Sequence, residues 1–127
     1  MSMYEVNVCV SFRAAHALPL GNGRMEESHQ HSWETTATFR AARLDAEMGV
    51  VIDFLTVRDK LGQIASQLHD RDLNAIDAFA AATTSAENVA AWIAGALIAK
   101  LPPEPALYRL SVTEAPGCSA AYYPGDP

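Results

Sequence analysis

Two runs of strict alternation dominate the first third of the chain. In "YEVNVCVSF" (4–12), Val6, Val8, Val10 and Phe12 point one way and Glu5, Asn7, Cys9 and Ser11 the other. In "HQHSWETTATF" (29–39), His29, His31, Trp33, Thr35, Ala37 and Phe39 share one face, and Gln30, Ser32, Glu34, Thr36 and Thr38 the opposite one. A period of two sustained over such lengths is that of a half-buried strand. The segment between them, "LPLGNGRMEES", carries two glycines and a proline and reads as a loop. The two strands are therefore expected to pair antiparallel, leaving one apolar sheet face that other elements must cover.

Two helices supply that cover. Phe54, Val57, Leu61, Ile64, Ala65 and Leu68 recur at helical spacing, which predicts an amphipathic helix over about 54–68 with Asp53 as its N-cap. A second helix is expected to open at Thr84, where Thr84 and Glu87 match a capping box. Val89, Trp92, Ile93, Ala96 and Leu97 form its stripe, and "LPPEP" ends it. "GVVIDF" (49–54) reads as a short apolar strand, "ALYRLSVTEA" (106–115) as another, and "SAAYY" as the last. Strands and helices are segregated, so the class is α+β with an antiparallel sheet.

The 127 residues fit one domain, 1–127, with no repeat or linker. A formal charge of −6 without a basic cluster argues against a nucleic-acid partner. No apolar run is long enough to span a membrane. "MSMYEVNVCV" lacks the pattern of a signal peptide, so a cytoplasmic location is expected. Cys9 and Cys118 stand outside any C-x-x-C context and read as small buried hydrophobes in a reducing compartment.

The chemistry concentrates on histidine. His29 and His31 lie on one strand face roughly 6.5–7 Å apart along the backbone, a spacing from which two imidazoles can converge on one ion. His16, at the end of the paired strand, offers a third nitrogen. Three histidines with an open position form the pattern of catalytic Zn2+. An H-x-H pair by itself also fits two histidines with ordinary hydrogen bonds; the third imidazole favours the metal. Glu114 shares a face with Ala106, Tyr108, Leu110 and Val112. A carboxylate in line with apolar residues either turns out to solvent at the strand end or accepts N–H groups of a ligand.

These segments resemble the 6-pyruvoyl-tetrahydropterin synthases and their bacterial relatives, the 6-carboxytetrahydropterin synthases. "FRAAH" (12–16) is similar to F-x-A-A-H, "HQH" (29–31) to H-G-H, and "GVVIDF" to G-m-v-x-D-F. "LHDRDLN" (68–74) is similar to L-D-H-x-x-L-N, "TSAEN" (84–88) to P-T-x-E-N, and "VTEAPGCSAAY" (112–122) to the closing v-x-E-t segment. The resemblance implies a tunnelling fold: a four-stranded antiparallel sheet with two helices on one face. It implies closure into a homo-oligomer, a trimer or a dimer of trimers, which hides sheet edges. It also implies His16, His29 and His31 as zinc ligands and Glu114 as the carboxylate that anchors a pterin substrate.

The chain departs from the family pattern at three places. Met25 stands where the family carries its cysteine, and a thioether cannot act as a base. Leu68-His69-Asp70 inverts the family's L-D-H, so Asp70 takes the histidine's place. Gln30 replaces the glycine of H-G-H. Glu26, three residues before His29, matches the E-x-x-H-G-H spacing of a branch that uses glutamate instead of cysteine. The expected activity is therefore a zinc-dependent, lyase-like reaction on a dihydroneopterin or dihydroneopterin triphosphate substrate, by side-chain elimination or cleavage. Glu26 is the candidate base, with His69 and Asp70 as further proton carriers. The alternative is a non-catalytic zinc- and pterin-binding homologue that has lost the proton relay.

Overall fold

The computed structural model describes residues 2–125. Strand β1 is Tyr4–His16, and a short hairpin follows, β2 (Pro19–Gly21) and β3 (Arg24–Met25), inside the segment expected as a loop. Strand β4 is His29–Ala41 and helix α1 is Phe54–Leu68, followed by the two-residue β5 (Arg71–Asp72). After two 3-10 turns come α2 (Ala86–Lys100), β6 (Leu107–Ala115) and β7 (Cys118–Tyr122). The main sheet has the order β5-β1-β4-β6-β7. Four of these strands form the expected antiparallel core. The fifth, β5, pairs parallel to β1 only at Ala14 and Ala15.

β1 and β4 pair along their whole length, from Tyr4 opposite Ala41 to His16 opposite His29. Their even and odd faces separate as the alternation requires except at Thr38, which is buried on the opposite face with its hydroxyl bonded to Asn7. Val8, Phe12, Ala14 and His16 are buried, as are Trp33, Thr35, Ala37 and Phe39. Phe12 and Trp33 stack with ring centroids 5.9 Å apart. The Trp33 indole N–H donates to the Ala14 carbonyl at 3.2 Å, which satisfies its one polar atom in the core.

Both helices cover this face. Asp53 caps α1 by accepting the Leu55 N–H at 3.0 Å, and Val57, Leu61, Ile64, Ala65 and Leu68 are its buried stripe. α2 buries Val89, Ala90, Ile93, Ala94 and Leu97, with Trp92 and Ala96 partly buried beside them. Among the described residues, no helix lies on the opposite sheet face.

Four local expectations are corrected. The cap of α2 is Ser85, whose hydroxyl accepts the Asn88 N–H at 3.2 Å. Thr84 is instead committed to other contacts: its hydroxyl donates to Asn74 at 3.1 Å. "GVVIDF" is not a strand up to the α1 cap. The Asp45 carboxylate accepts the Met48 and Gly49 N–H groups, which closes a turn before it, and among the described residues no strand pairs with the segment. On β6, a bulge opposite Thr38 and Phe39 shifts the alternation, so Leu107 is buried and Tyr108 turns out beneath the Arg40 guanidinium. Cys9 and Cys118 are exposed free thiols, not core residues. Cys9 lies on the uncovered sheet face, near Glu34.

Leu61 is fully buried between α1 and the sheet, so Leu61→Ala should lower the unfolding free energy by about 2–5 kcal/mol. Arg58→Ala, on the exposed side of the same helix, should change it by less than about 0.5 kcal/mol. Urea unfolding followed by circular dichroism measures both.

Candidate metal centre

The site is built by register. His16 ends β1 and faces His29 at the start of β4, while His31 lies two residues further along β4 on the same face. The ring centroids of His16 and His29 are 4.7 Å apart, those of His29 and His31 4.5 Å, and those of His16 and His31 5.4 Å. The Trp33 indole forms the apolar floor, 4.9 Å from the His16 ring. Glu114 arrives from the neighbouring strand with Oε1 2.8 Å from His16 Nε2. The ligating atoms of His16, His29, His31 and Glu114 all lie within 4.8 Å of one another.

The hydrogen bonds orient these rings as ligands. His16 Nδ1 lies 2.8 Å from the Thr84 carbonyl oxygen, an obligate acceptor, so this nitrogen carries the proton. Nε2 then presents a lone pair; it is buried and has no hydrogen-bond partner. His29 repeats the arrangement, with Nδ1 3.0 Å from the Glu27 carbonyl oxygen. A backbone carbonyl behind each imidazole is the usual outer support of a metal-binding histidine. Burial pushes the His31 imidazole below its ordinary pKa; His29 and His16 add to this, against Glu114 and Glu26. A neutral ring is the form that donates to a metal. Three imidazole nitrogens and one carboxylate oxygen suit Zn2+.

One supporting residue carries no role in the sequence reading. Asn74 accepts the Ala17 N–H at 2.9 Å and the Thr84 hydroxyl at 3.1 Å, and its amide donates to the Ala17 carbonyl at 2.9 Å. It thereby ties the residue after His16 to the residue whose carbonyl holds the His16 ring. Asn74 closes the "LHDRDLN" segment, but nothing in that segment reveals which backbone groups it meets.

The remaining candidates fall into two places. Glu26 lies beside the cluster, with Oε1 accepting the Leu18 N–H at 2.9 Å and standing 3.9 Å from His29 Nδ1. Met25, half-exposed in β3, contributes no polar atom. His69 and Asp70 sit at the β5 edge. His69 Nδ1 accepts the Arg13 N–H at 3.0 Å, and its Nε2 is 3.3 Å from Asp70 Oδ2. The Arg13 guanidinium holds Asp70 Oδ1 at 2.7 and 2.8 Å. Arg13 projects from the uncovered face of β1, opposite to His16. Among the described residues, no hydrogen bond or ion pair joins this group to Glu26 or the histidine cluster within one chain. Gln30 is exposed and points away from its two histidine neighbours.

The sequence matches the family described as 6-pyruvoyl tetrahydropterin synthase over residues 5–125. It is 31% identical over 104 residues to the dihydroneopterin monophosphate aldolase of Pyrococcus furiosus, covering 82% of this chain and 83% of that protein. It is 31% identical over 119 residues to the 6-carboxy-5,6,7,8-tetrahydropterin synthase of a Synechocystis strain, covering 89% and 88%. Among solved structures, Caenorhabditis elegans 6-pyruvoyl tetrahydropterin synthase superposes with a TM-score of 0.85 at 20% identity, covering 97% of this chain and 96% of that one. A Plasmodium vivax 6-pyruvoyltetrahydropterin synthase, solved as a catalytic-residue mutant with a glutamate replaced by alanine, gives 0.74 at 17% identity, covering 96% and 98%.

The hydrogen bonds assign two opposite tautomers, which nitrogen-15 NMR of the metal-free protein reads directly. At a pH of about 8, above the ordinary imidazole range, His16 should carry its proton on Nδ1 and His69 on Nε2.

Proposed function

The chain belongs to the 6-pyruvoyl tetrahydropterin synthase family, and on that premise we propose a zinc-dependent enzyme acting on a dihydroneopterin-type substrate by side-chain cleavage or elimination. The observation that carries the reading is the convergence of three imidazoles and one carboxylate at the end of the sheet. His16, His29 and His31 would hold the ion. Bound zinc would polarise the substrate's side-chain oxygens. Glu114 would accept the N–H groups of the pterin's amino-pyrimidine edge, a charge-assisted bidentate contact stronger than neutral hydrogen bonds.

Glu26 is the base in this reading. It stands beside His29, and its backbone N–H also bonds the Leu18 carbonyl at 2.9 Å, so the hairpin that carries it is anchored on both sides. A carboxylate held next to a cationic centre and partly screened from water is suited to take a proton from a substrate hydroxyl. The aldolase relative gives precedent for side-chain cleavage in this family, and the Plasmodium protein for a catalytic glutamate on this fold.

His69 and Asp70 would act across a subunit boundary. Among the described residues, β7 is one free edge of the sheet, and β1 is paired on its outer side only at Ala14 and Ala15. Exposed edges of this length favour pairing with another chain. β7 starts at Cys118, beside the Glu114 end of β6, and His69 and Asp70 lie at the same end of the sheet on the opposite edge. Edge-to-edge closure of three copies would bring a neighbour's His69 and Asp70 toward the histidine cluster, which supports a trimer or a dimer of trimers.

Wild-type protein should retain one zinc per chain by elemental analysis, and His29→Ala should lose it on dialysis, because the two remaining imidazoles and the part-exposed Glu114 carboxylate hold the ion more weakly than three imidazoles do. A metal-free wild type would sink the reading. Glu26→Gln should lower turnover of dihydroneopterin or its phosphates roughly 10²–10⁴-fold, with pterin affinity little changed. Chromatography of the products and calorimetry separate the two effects. A wild type that binds pterin and zinc but turns over none of these substrates would instead support the non-catalytic alternative.

A further inference from the structure

His16 is the most enclosed of the three imidazoles, and one short segment, 69–74, holds β1 on both sides of it. Before His16, the Arg13 N–H donates to His69 Nδ1 at 3.0 Å and the Arg13 carbonyl accepts the Asp70 N–H at 2.6 Å. β5 then pairs with Ala14 and Ala15. After His16, the Asn74 amide takes both backbone polar groups of Ala17: Oδ1 accepts the N–H at 2.9 Å and Nδ2 donates to the carbonyl at 2.9 Å. The side chain continues the pairing that β5 begins, past the end of β1. Its two partners are a donor and an acceptor of fixed polarity, so the amide has one orientation here.

The same Oδ1 accepts the Thr84 hydroxyl at 3.1 Å, with the Ala17 carbonyl a longer alternative at 3.4 Å. Thr84 is also the residue whose carbonyl takes the His16 Nδ1 proton at 2.8 Å. Its side chain is buried just ahead of the Ser85 cap of α2, so water is no substitute for the bond to Asn74. Asn74 itself stands on a 3-10 turn, Leu73–Ala75, pinned by the fully buried Leu73 and capped by Asp72, whose carboxylate accepts the Asn74 N–H at 3.0 Å.

A neutral imidazole carries its proton on one nitrogen and a lone pair on the other. While the Thr84 carbonyl stands against Nδ1, the proton stays there and the buried Nε2 is open to the cluster. Where that carbonyl drifts, the proton can move to Nε2, which closes the nitrogen that an ion needs. We infer that Asn74 is a positioning residue for the metal centre: it fixes the Thr84 carbonyl against the His16 ring and so selects the tautomer able to ligate. It touches neither the ion nor the substrate. The inference rests on the proposed metal reading and adds to it a residue that acts through Thr84 and Ala17.

The test compares Asn74→Ala with wild type in two measurements. Nitrogen-15 NMR of metal-free protein at a pH of about 8, above the ordinary imidazole range, reads which His16 nitrogen carries the proton. His29, whose Nδ1 meets the Glu27 carbonyl, is the internal control. Titration with Co2+, followed by its visible absorption, reads metal affinity. In Asn74→Ala, His16 should gain a population protonated on Nε2 while His29 stays as in wild type. Co2+ should bind roughly 10–100-fold more weakly, the usual effect of losing an outer support. Thr84→Val removes the hydroxyl alone and should move both readings the same way, by less; Thr84→Ser keeps the hydroxyl and should read as wild type. Asn74→Ala and Thr84→Val combined should be less than additive, because they cut one link. A His16 ring that keeps its proton on Nδ1 in Asn74→Ala would overturn the inference, even if Co2+ affinity falls, and so would wild-type Co2+ affinity in that variant. Should Asn74→Ala fail to fold by circular dichroism, the Thr84 pair decides: equal His16 spectra in Thr84→Val and Thr84→Ser would overturn it. A wild type that binds neither Co2+ nor Zn2+ would overturn the metal reading, while the NMR comparison still decides whether Asn74 governs the His16 ring.

Discussion

Thirteen residues of β1 pair with thirteen of β4, and this register governs everything at the site. A slip of β4 by one residue would turn His29, His31, Ala37 and Phe39 away from their present face and leave Trp33 facing water. It would also part His16 from His29, the last pair of the ladder. The same apolar pattern that anchors the sheet against α1 and α2 therefore aims the imidazoles. Trp33 links the two tasks, stacked on Phe12 in the core and forming the floor beneath the His16 ring. Stability and site geometry share one constraint, and a fully paired ladder resists the small shifts that would loosen a metal site.

Around that ladder, rigidity falls off in steps. The His16 ring is held by the Thr84 carbonyl at the start of α2, and Asn74 braces both Thr84 and the residue after His16. These are backbone-directed bonds between three parts of the chain, and they act where the ring has no solvent contact. The acidic side chains occupy less regular places. Glu26 belongs to a loop closed by a short hairpin, and Glu114 to a bulge at the end of β6. Bulges recur beside active sites because they redirect a side chain without dismantling the sheet. The arrangement sets the imidazoles on the rigid part and the carboxylates on the adaptable part.

Asp70 shows a different device. Its φ of +58° lies in the left-handed region, which aspartate tolerates better than most residues. The Arg13 guanidinium and backbone hold it there. The inverted order of His69 and Asp70 does not abolish their pairing, because this turn of the backbone returns the carboxylate to the imidazole. The pair faces outward at a sheet edge, away from the histidine cluster of its own chain.

Much of this was legible in the residues alone. Alternation in 4–12 and 29–39 specified two paired strands and their buried faces, because side-chain period in a strand is a local property of the backbone. The 54–68 helix, its Asp53 cap and the shared face of His29 and His31 followed for the same reason. What the sequence could not determine was set by contacts between distant segments. Thr84 reads locally as a cap, but its carbonyl and hydroxyl are taken by His16 and Asn74, so Ser85 caps instead. Tyr108 reads as core, but the bulge against β4 turns it outward. The apolar "GVVIDF" found no strand to pair with, and Cys9 faced a side of the sheet that no helix covers. The approach of Glu114 to His16, across three strands, depends on the sheet order and on a bulge, which pairing between strands creates and no single strand encodes.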